Sequence, residues 1–147
     1  MVSKMKHKEI IDKMTLEEKA ALLSGKGEWQ TWNLDRLGIP SIYCSDGPHG
    51  IRKQAGTGDH LGLNPSLPAT CFPTAATVAN SWDPELGEEN WQSAGRRSSC
   101  QNVNIVLGPG LNMKRSPLCG RNFEYFAEDP YLAGKWQLLI YGVSRVR

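Results

Sequence analysis

No apolar run in this 147-residue chain approaches the length of a membrane-spanning helix, so a transmembrane segment is not expected. The first ten residues, MVSKMKHKEI, are polar and carry no apolar centre of the kind a secretory signal needs. Excess charge of either sign is also missing: 17 Lys and Arg face 15 Asp and Glu, a net charge of +2. Without a basic stripe or an acidic tail, neither nucleic acid nor a membrane surface is the default partner. Cysteine is sparse and scattered. Cys44, Cys71, Cys100 and Cys119 form no CxxC pair, and no histidine stands at ligand spacing from them. A structural zinc or a disulfide framework is therefore not expected, and free thiols in a reducing cytoplasm are the simplest account. No internal repeat is visible.

The chain is long enough for one domain with its own core, and its apolar content of 39% is ordinary. Lys8 to Met14 reads as a short amphipathic helix. Thr15 with Glu18 is a capping box opening a second helix, with Leu16, Ala20 and Leu23 as its buried stripe and Gly25 as its stop. A loop follows from Gly27 to Asn33, then one turn from Leu34 to Leu37. Ile39 to Cys44 reads as a strand. Ala55 to Pro65, rich in Gly, Thr, Asp and Asn, reads as a flexible excursion. Leu67 to Trp82 reads as a close-packed short strand and then a helix from Thr74. Asp83 and Pro84 form an N-cap and first-turn pair for the next helix. Strands alternating with helices give an α/β class.

Two stretches concentrate chemistry. In SDGPHGIRKQ, the carboxylate of Asp46 stands just past an apolar strand, on a turn with Gly47, Pro48 and Gly50. Barrel enzymes place ligand contacts at such a position. An aspartate there also serves simply to cap the turn, and the pattern alone leaves both readings open. In the second stretch, the apolar run Val103 to Leu107 reads as a buried strand. The turn Gly108-Pro109-Gly110 follows it, and then a long polar loop carrying Lys114, Arg115, Arg121 and Glu124. Asp129 and Pro130 close that loop and open a helix. A loop of this length in a small domain is unusual unless it serves a function, although spacing alone fits a surface loop with a few solvated charges equally well. Phe123, Tyr125 and Phe126 interleave with its charges, so much of it must pack.

The segments MTLEEKAALLSG, LGIPSIYCSDGPHGIRKQ, LPATCFPTAATVANSWD and NVNIVLGPGLNMKRSPLCGRNFEYFAEDPYLAGK together resemble the beginning of a glycoside hydrolase family 3 enzyme of the bacterial β-glucosidase type. The likeness runs from Met14 to about Lys135 with one gap. It implies a partial (β/α)8 TIM-type barrel, of which the chain would supply the first three to four βα units. The whole of residues 1–147 is then a truncated N-terminal part of the barrel domain. The family's DGP aspartate, here Asp46, and its GRxxE arginine, here Arg121, would hold hydroxyls of the terminal non-reducing sugar, with Glu124 orienting Arg121. A carboxylate accepts from two vicinal hydroxyls, and a guanidinium offers a rigid fork of donors. The implied substrate is a β-glucoside or a short β-linked oligosaccharide, hydrolysed with retention and without a metal or other cofactor.

Retention requires a nucleophile and a general acid/base. In the family both follow the GRNFE motif, so no catalytic residue is expected in this chain, which would need the missing C-terminal remainder of the enzyme. A non-catalytic sugar-binding module and a structural remnant of a barrel are the competing readings.

Two stretches depart from the family pattern: about 89–100 and 136–147. Permitted codons for Trp136 onward, with one base restored, read Met-Ala-Ala-Ala-Tyr-Ile-Arg-Gly-Val-Gln-Ser-Gln. The first stretch, read one base later, also becomes a family-like helix before the frame recovers at Gln101. Both stretches are therefore read as out of frame, although codon choice is free. The run Arg96, Arg97, Ser98, Ser99 lacks an apolar helical stripe. The consecutive Leu138, Leu139, Ile140 and Tyr141 suit a strand better than the helix expected after Pro130.

Overall fold

The computed structural model describes residues 6–47, 49–56, 58–59, 61 and 63–143. The first five residues of the polar N-terminus, Pro48 of the DGP motif and residues 144–147 of the last departing stretch lie outside that description. The chain begins with two short helices, α1 (Lys8–Asp12) and α2 (Leu16–Leu22). A 3-10 turn, Asp35–Leu37, leads to β1 (Cys44–Asp46). Next come α3 (Ala75–Asn80), α4 (Pro84–Cys100), β2 (Ile105–Leu107), a 3-10 turn at Asn122–Glu124, and α5 (Pro130–Val143). The strands pair in parallel, with Cys44 opposite Ile105, Ser45 opposite Val106 and Asp46 opposite Leu107. The crossover between them carries α3 and α4, so the class is α/β.

Local chemistry explains where the helices begin. Thr15 Oγ1 accepts from the Glu18 amide at 3.2 Å, and Glu18 Oε2 accepts from the Thr15 amide at 2.9 Å, completing the capping box. Thr74 Oγ1 caps α3 by accepting from the Thr77 amide at 3.3 Å. Asp83 Oδ1 takes the amides of Glu85 and Leu86 at 3.0 and 3.2 Å. Asp129 takes those of Tyr131 and Leu132 at 3.1 and 3.2 Å. Pro84 and Pro130 stand at the first helical turns, where no amide donor is needed.

The core lies where α3, α4 and α5 meet. Ala75, Val78, Ala79, Phe126, Trp136 and Ile140 form it, with Trp91, Leu132 and Leu139 packed against it. The rings of Phe126 and Trp136 stack with centroids 6.0 Å apart and planes within 6°. Burying each large apolar side chain here contributes about 1.5–3 kcal/mol.

Several expectations are corrected. The first strand is not Ile39 to Cys44 but Cys44–Asp46, because only those residues face β2. Ile39 and Tyr43 instead make isolated bridges to Leu34 and Gln30. The short strand expected between Leu67 and Thr74 does not form. β2 is not a buried strand: Ile105 and Leu107 are exposed, and among the described residues its outer edge has no strand partner. The stripe of α2 is not buried either, with Leu16 78% and Leu23 91% exposed.

Of the excursion from Ala55 to Pro65, Thr57, His60 and Gly62 lie outside the described residues, and the described part is tied down. Buried Gln54 accepts from Trp29 Nε1 at 2.8 Å and from the Asp59 amide at 2.7 Å, and Asp59 in turn accepts from the amides of Leu63 and Asn64. Residues 136–143 are helix rather than strand. Leu132, Ala133, Trp136, Leu139 and Ile140 fall on one face at helical spacing and bury it against α4. The helix at 89–100 also forms. Gly87, Trp91, Ala94 and Ser98 make its inward stripe, and Arg96 and Arg97 point to solvent.

Candidate functional site

Asp46 closes β1, and its carboxylate is exposed at the strand's C-terminal end, level with Leu107. The chain then turns sharply. Gly47 and Gly50 adopt φ of +156° and +143°, a region that side chains disfavour. A Cβ on Gly47 would strike the Gly50 carbonyl, and one on Gly50 would strike the Thr70 carbonyl. Both glycines are therefore required by close backbone approach. The turn is shut by the Arg52 amide donating to the Asp46 carbonyl at 2.9 Å.

The loop after β2 returns to the same end. A bridge between Gly110 and Tyr125 closes its base, and Tyr125 and Phe126 anchor it in the interior. At its far side Arg121 precedes the Asn122–Glu124 turn. Arg121 Nε donates to Glu124 Oε1. The Arg121 side chain is 72% exposed, whereas Glu124 is 13% exposed, so the carboxylate is the fixed partner and the guanidinium reaches outward from it. That hydrogen bond, the Glu124 charge, Tyr125 and lastly Asp46 all push the Arg121 pKa upward from its ordinary value, against a small opposing effect of burial. Asp46 and Arg121 thus lie within electrostatic reach of each other, yet no hydrogen bond joins them.

A contact that the sequence did not reveal ties the two turns together. The His49 ring, from the Asp46 turn, lies 5.3 Å from the Phe123 ring, centroid to centroid, at 56°. Both residues lie inside the motifs already singled out, and the interleaved aromatics were the available signal. Asp46 and Arg121 line neither of two cavities. One, of about 30 Å³, is apolar and sits behind the turn against Phe72, Trp91 and Phe126. The other, a polar depression of about 670 Å³, lies at the opposite strand ends beside Tyr43, Lys53 and Asn104. Among the described residues, no three His, Cys, Asp or Glu side chains converge as a metal site would require. All four cysteines are unpaired. No helix among the described residues is long and apolar enough to cross a membrane.

Among the described residues, the Asp46 carboxylate is an exposed acceptor, and the Arg121 guanidinium makes its one side-chain hydrogen bond through Nε, to Glu124. A carboxylate accepts hydrogen bonds and a guanidinium donates them.

Comparison with known proteins places the chain in a family. The chain matches no family model. It is 58% identical over 128 residues to thermostable β-glucosidase B of Acetivibrio thermocellus, covering 87% of this chain and 17% of that relative. Among solved structures it resembles the β-glucosidase of Kluyveromyces marxianus in complex with glucose, with a TM-score of 0.85, 35% identity, and coverage of 97% of this chain and 16% of that one. It also resembles the GH3 β-glucosidase of Bifidobacterium adolescentis, with a TM-score of 0.80, 41% identity, and coverage of 92% and 18%. The chain thus spans less than a fifth of the length of these relatives. Matching over most of its own length in both sequence and fold, it belongs to glycoside hydrolase family 3, of the β-glucosidase type.

Proposed function

We propose that this chain supplies the sugar-recognition part of a retaining β-glucosidase, the part that grips the terminal non-reducing β-D-glucosyl residue. Asp46 accepts hydrogen bonds from two vicinal hydroxyls, Arg121 donates to a neighbouring oxygen, and Glu124 holds Arg121 in place. The observation that carries this reading is the exposed Asp46 carboxylate at the C-terminal end of β1, within the electrostatic reach of an arginine anchored by Glu124. Catalysis is assigned to a nucleophile and an acid/base beyond this chain. The chain is a cytoplasmic, truncated N-terminal part of a (β/α)8 barrel, with residues of about 89–100 and 136–147 out of frame.

The outward apolar side chains of Leu16, Leu23, Ile105 and Leu107 support membership of a larger fold, since a complete small domain covers most such surface. Two measurements test the reading. Glucose titrated into the chain should perturb the resonances of Asp46 and Arg121 saturably, and Asp46→Ala or Arg121→Ala should abolish that response. Sequencing the DNA past the reading frame should uncover glycosidase coding sequence in another frame. A glucose response unchanged by both substitutions would remove the pair from the site.

A further inference from the structure

Asp46 and Arg121 come from two separately built turns, and no bond between them sets their spacing. The Asp46 turn is closed on itself by Arg52 N to Asp46 O at 2.9 Å and tied to the segment ahead of α3 by Phe72 N to His49 O at 2.5 Å. Its two glycines leave no room for adjustment. The Arg121 turn is likewise closed. The Glu124 amide donates to the Arg121 carbonyl at 3.2 Å, and Asn122 Nδ2 donates to the Ser116 carbonyl at 2.7 Å. The β1–β2 pairing and the buried Tyr125 and Phe126 hold the bases of the two turns, but their tips keep a fixed distance only if a further contact joins them.

The His49 ring against Phe123 makes that connection. Both imidazole nitrogens are shielded from solvent, and among the described residues neither has a hydrogen-bond partner. A histidine placed for hydrogen bonding or proton transfer would not have both nitrogens dry and unpaired. What remains is the face and edge of the ring as an aromatic surface.

We propose that His49 is a positioning residue of the sugar site. Its ring acts as an aromatic plate against Phe123 that fixes the Asp46 turn relative to the Arg121–Glu124 turn, and its nitrogens take no part in holding the sugar. This rests on the reading of Asp46 and Arg121 as the sugar-holding pair.

The test uses the full 147-residue chain, labelled with nitrogen-15 and titrated with glucose while the Arg121 Nε–H resonance is followed. His49→Phe keeps the plate without the nitrogens, so its affinity should match the unsubstituted chain. His49→Ala should weaken binding by about tenfold, the order expected for a small misplacement of a positioned group, with helix content by circular dichroism unchanged. Phe123→Leu should give the same loss, and the double variant should be no worse than either single one. A loss in His49→Phe equal to that in His49→Ala would show that the nitrogens matter and overturn the proposal. Wild-type affinity in His49→Ala would also overturn it. If glucose does not bind at all, the sugar reading fails while the plate is judged without ligand. The Arg121 resonance should move in His49→Ala and stay in place in His49→Phe, and an unmoved resonance in both refutes the plate.

Discussion

Gly87 of α4 faces the six-membered ring of Trp136 in α5 with no room between them. A Cβ on Gly87 would come within 3.1 Å of Cε3 and 3.2 Å of Cη2, and closer still to Cζ3. Trp136 is 3% exposed and stacked on Phe126, so it cannot swing away freely. Gly87→Ala therefore sets two effects against each other. Helix propensity favours alanine by up to about 1 kcal/mol. Overpacking costs about 1–3 kcal/mol. The expected net outcome is destabilisation by about 1–2 kcal/mol, read as a lower denaturation midpoint. A raised midpoint would show that the α4–α5 contact gives way easily.

Trp136→Ala is expected to cost about 3–5 kcal/mol by removing the ring from the same contact. For a domain this small that loss abolishes a cooperative melt. Calorimetry of the variant beside the parent chain checks it. A melt shifted by only a degree or two would mean that α5 is peripheral to the fold.

The chain alone should release no glucose from an aryl β-glucoside, because a retaining mechanism needs two carboxyl groups flanking the bond and the proposal places both outside this chain. Any turnover that survives purification and disappears with Asp46→Ala would contradict this. In the complete enzyme, the same substitution should cost about 1–3 kcal/mol of transition-state binding for each hydroxyl left unpaired, a fall in kcat/KM of at least tenfold.

Glu18 gives a pH-dependent prediction. Its pKa is lowered, chiefly by the hydrogen bond from Arg36 and then by the Thr15 amide. Arg36 Nη2 reaches Glu18 Oε2 at 2.6 Å. The pair's stabilising contribution is complete above the carboxylate's unfolded-state pKa and is lost as pH falls through its depressed folded value. The pair is exposed, so the effect is small and confined to the start of α2. A carboxyl-carbon NMR titration should place the Glu18 midpoint below that of an unpaired glutamate, and Arg36→Ala should move it upward. An unmoved midpoint would assign the depression to the cap alone.

Gln54→Ala should loosen the chain around Asp59, Leu63 and Asn64. Trp29 Nε1 would lose its acceptor, and the Asp59 amide would lose the Gln54 carbonyl. Each lost bond to a shielded group costs about 1–3 kcal/mol. Hydrogen exchange in that segment should accelerate while the α4–α5 core stays protected.

Much of this architecture was legible in the chain itself. Thr15, Thr74, Asp83 and Asp129 announced their helices because a cap is a local bargain between one side chain and the next few amides. The turn around Asp46 was legible in its glycines, whereas the roles given to Asp46 and Arg121 rest on the family motifs that carry them. Strand limits were not, since β1 ends where β2 stops facing it and that depends on a partner 61 positions away along the register. The α2 stripe was misread because amphipathic spacing says which face would be buried, not whether a neighbour is present to bury it. The 136–143 helix was misread from its consecutive apolar residues, whose spacing on α5 becomes decisive only once α4 supplies Gly87 as a floor. Gln54 hid for a similar reason: glycine and threonine around it suggested slackness, while its two acceptor contacts come from Trp29 and Asp59.

The parallel register carries one more consequence. Ser45 is 1% exposed and Asp46 is exposed, and they are adjacent on β1. Side chains on a strand alternate between faces, so a slip of one residue against β2 would exchange them. The interior would receive a carboxylate, and the rim would be left with a hydroxyl. A misregistered molecule would therefore be less stable and, on the role proposed for Asp46, would also lose its hold on the sugar. Correct pairing and the proposed recognition thus share a single boundary between two neighbouring side chains, so the same error that weakens a misfolded copy would silence it.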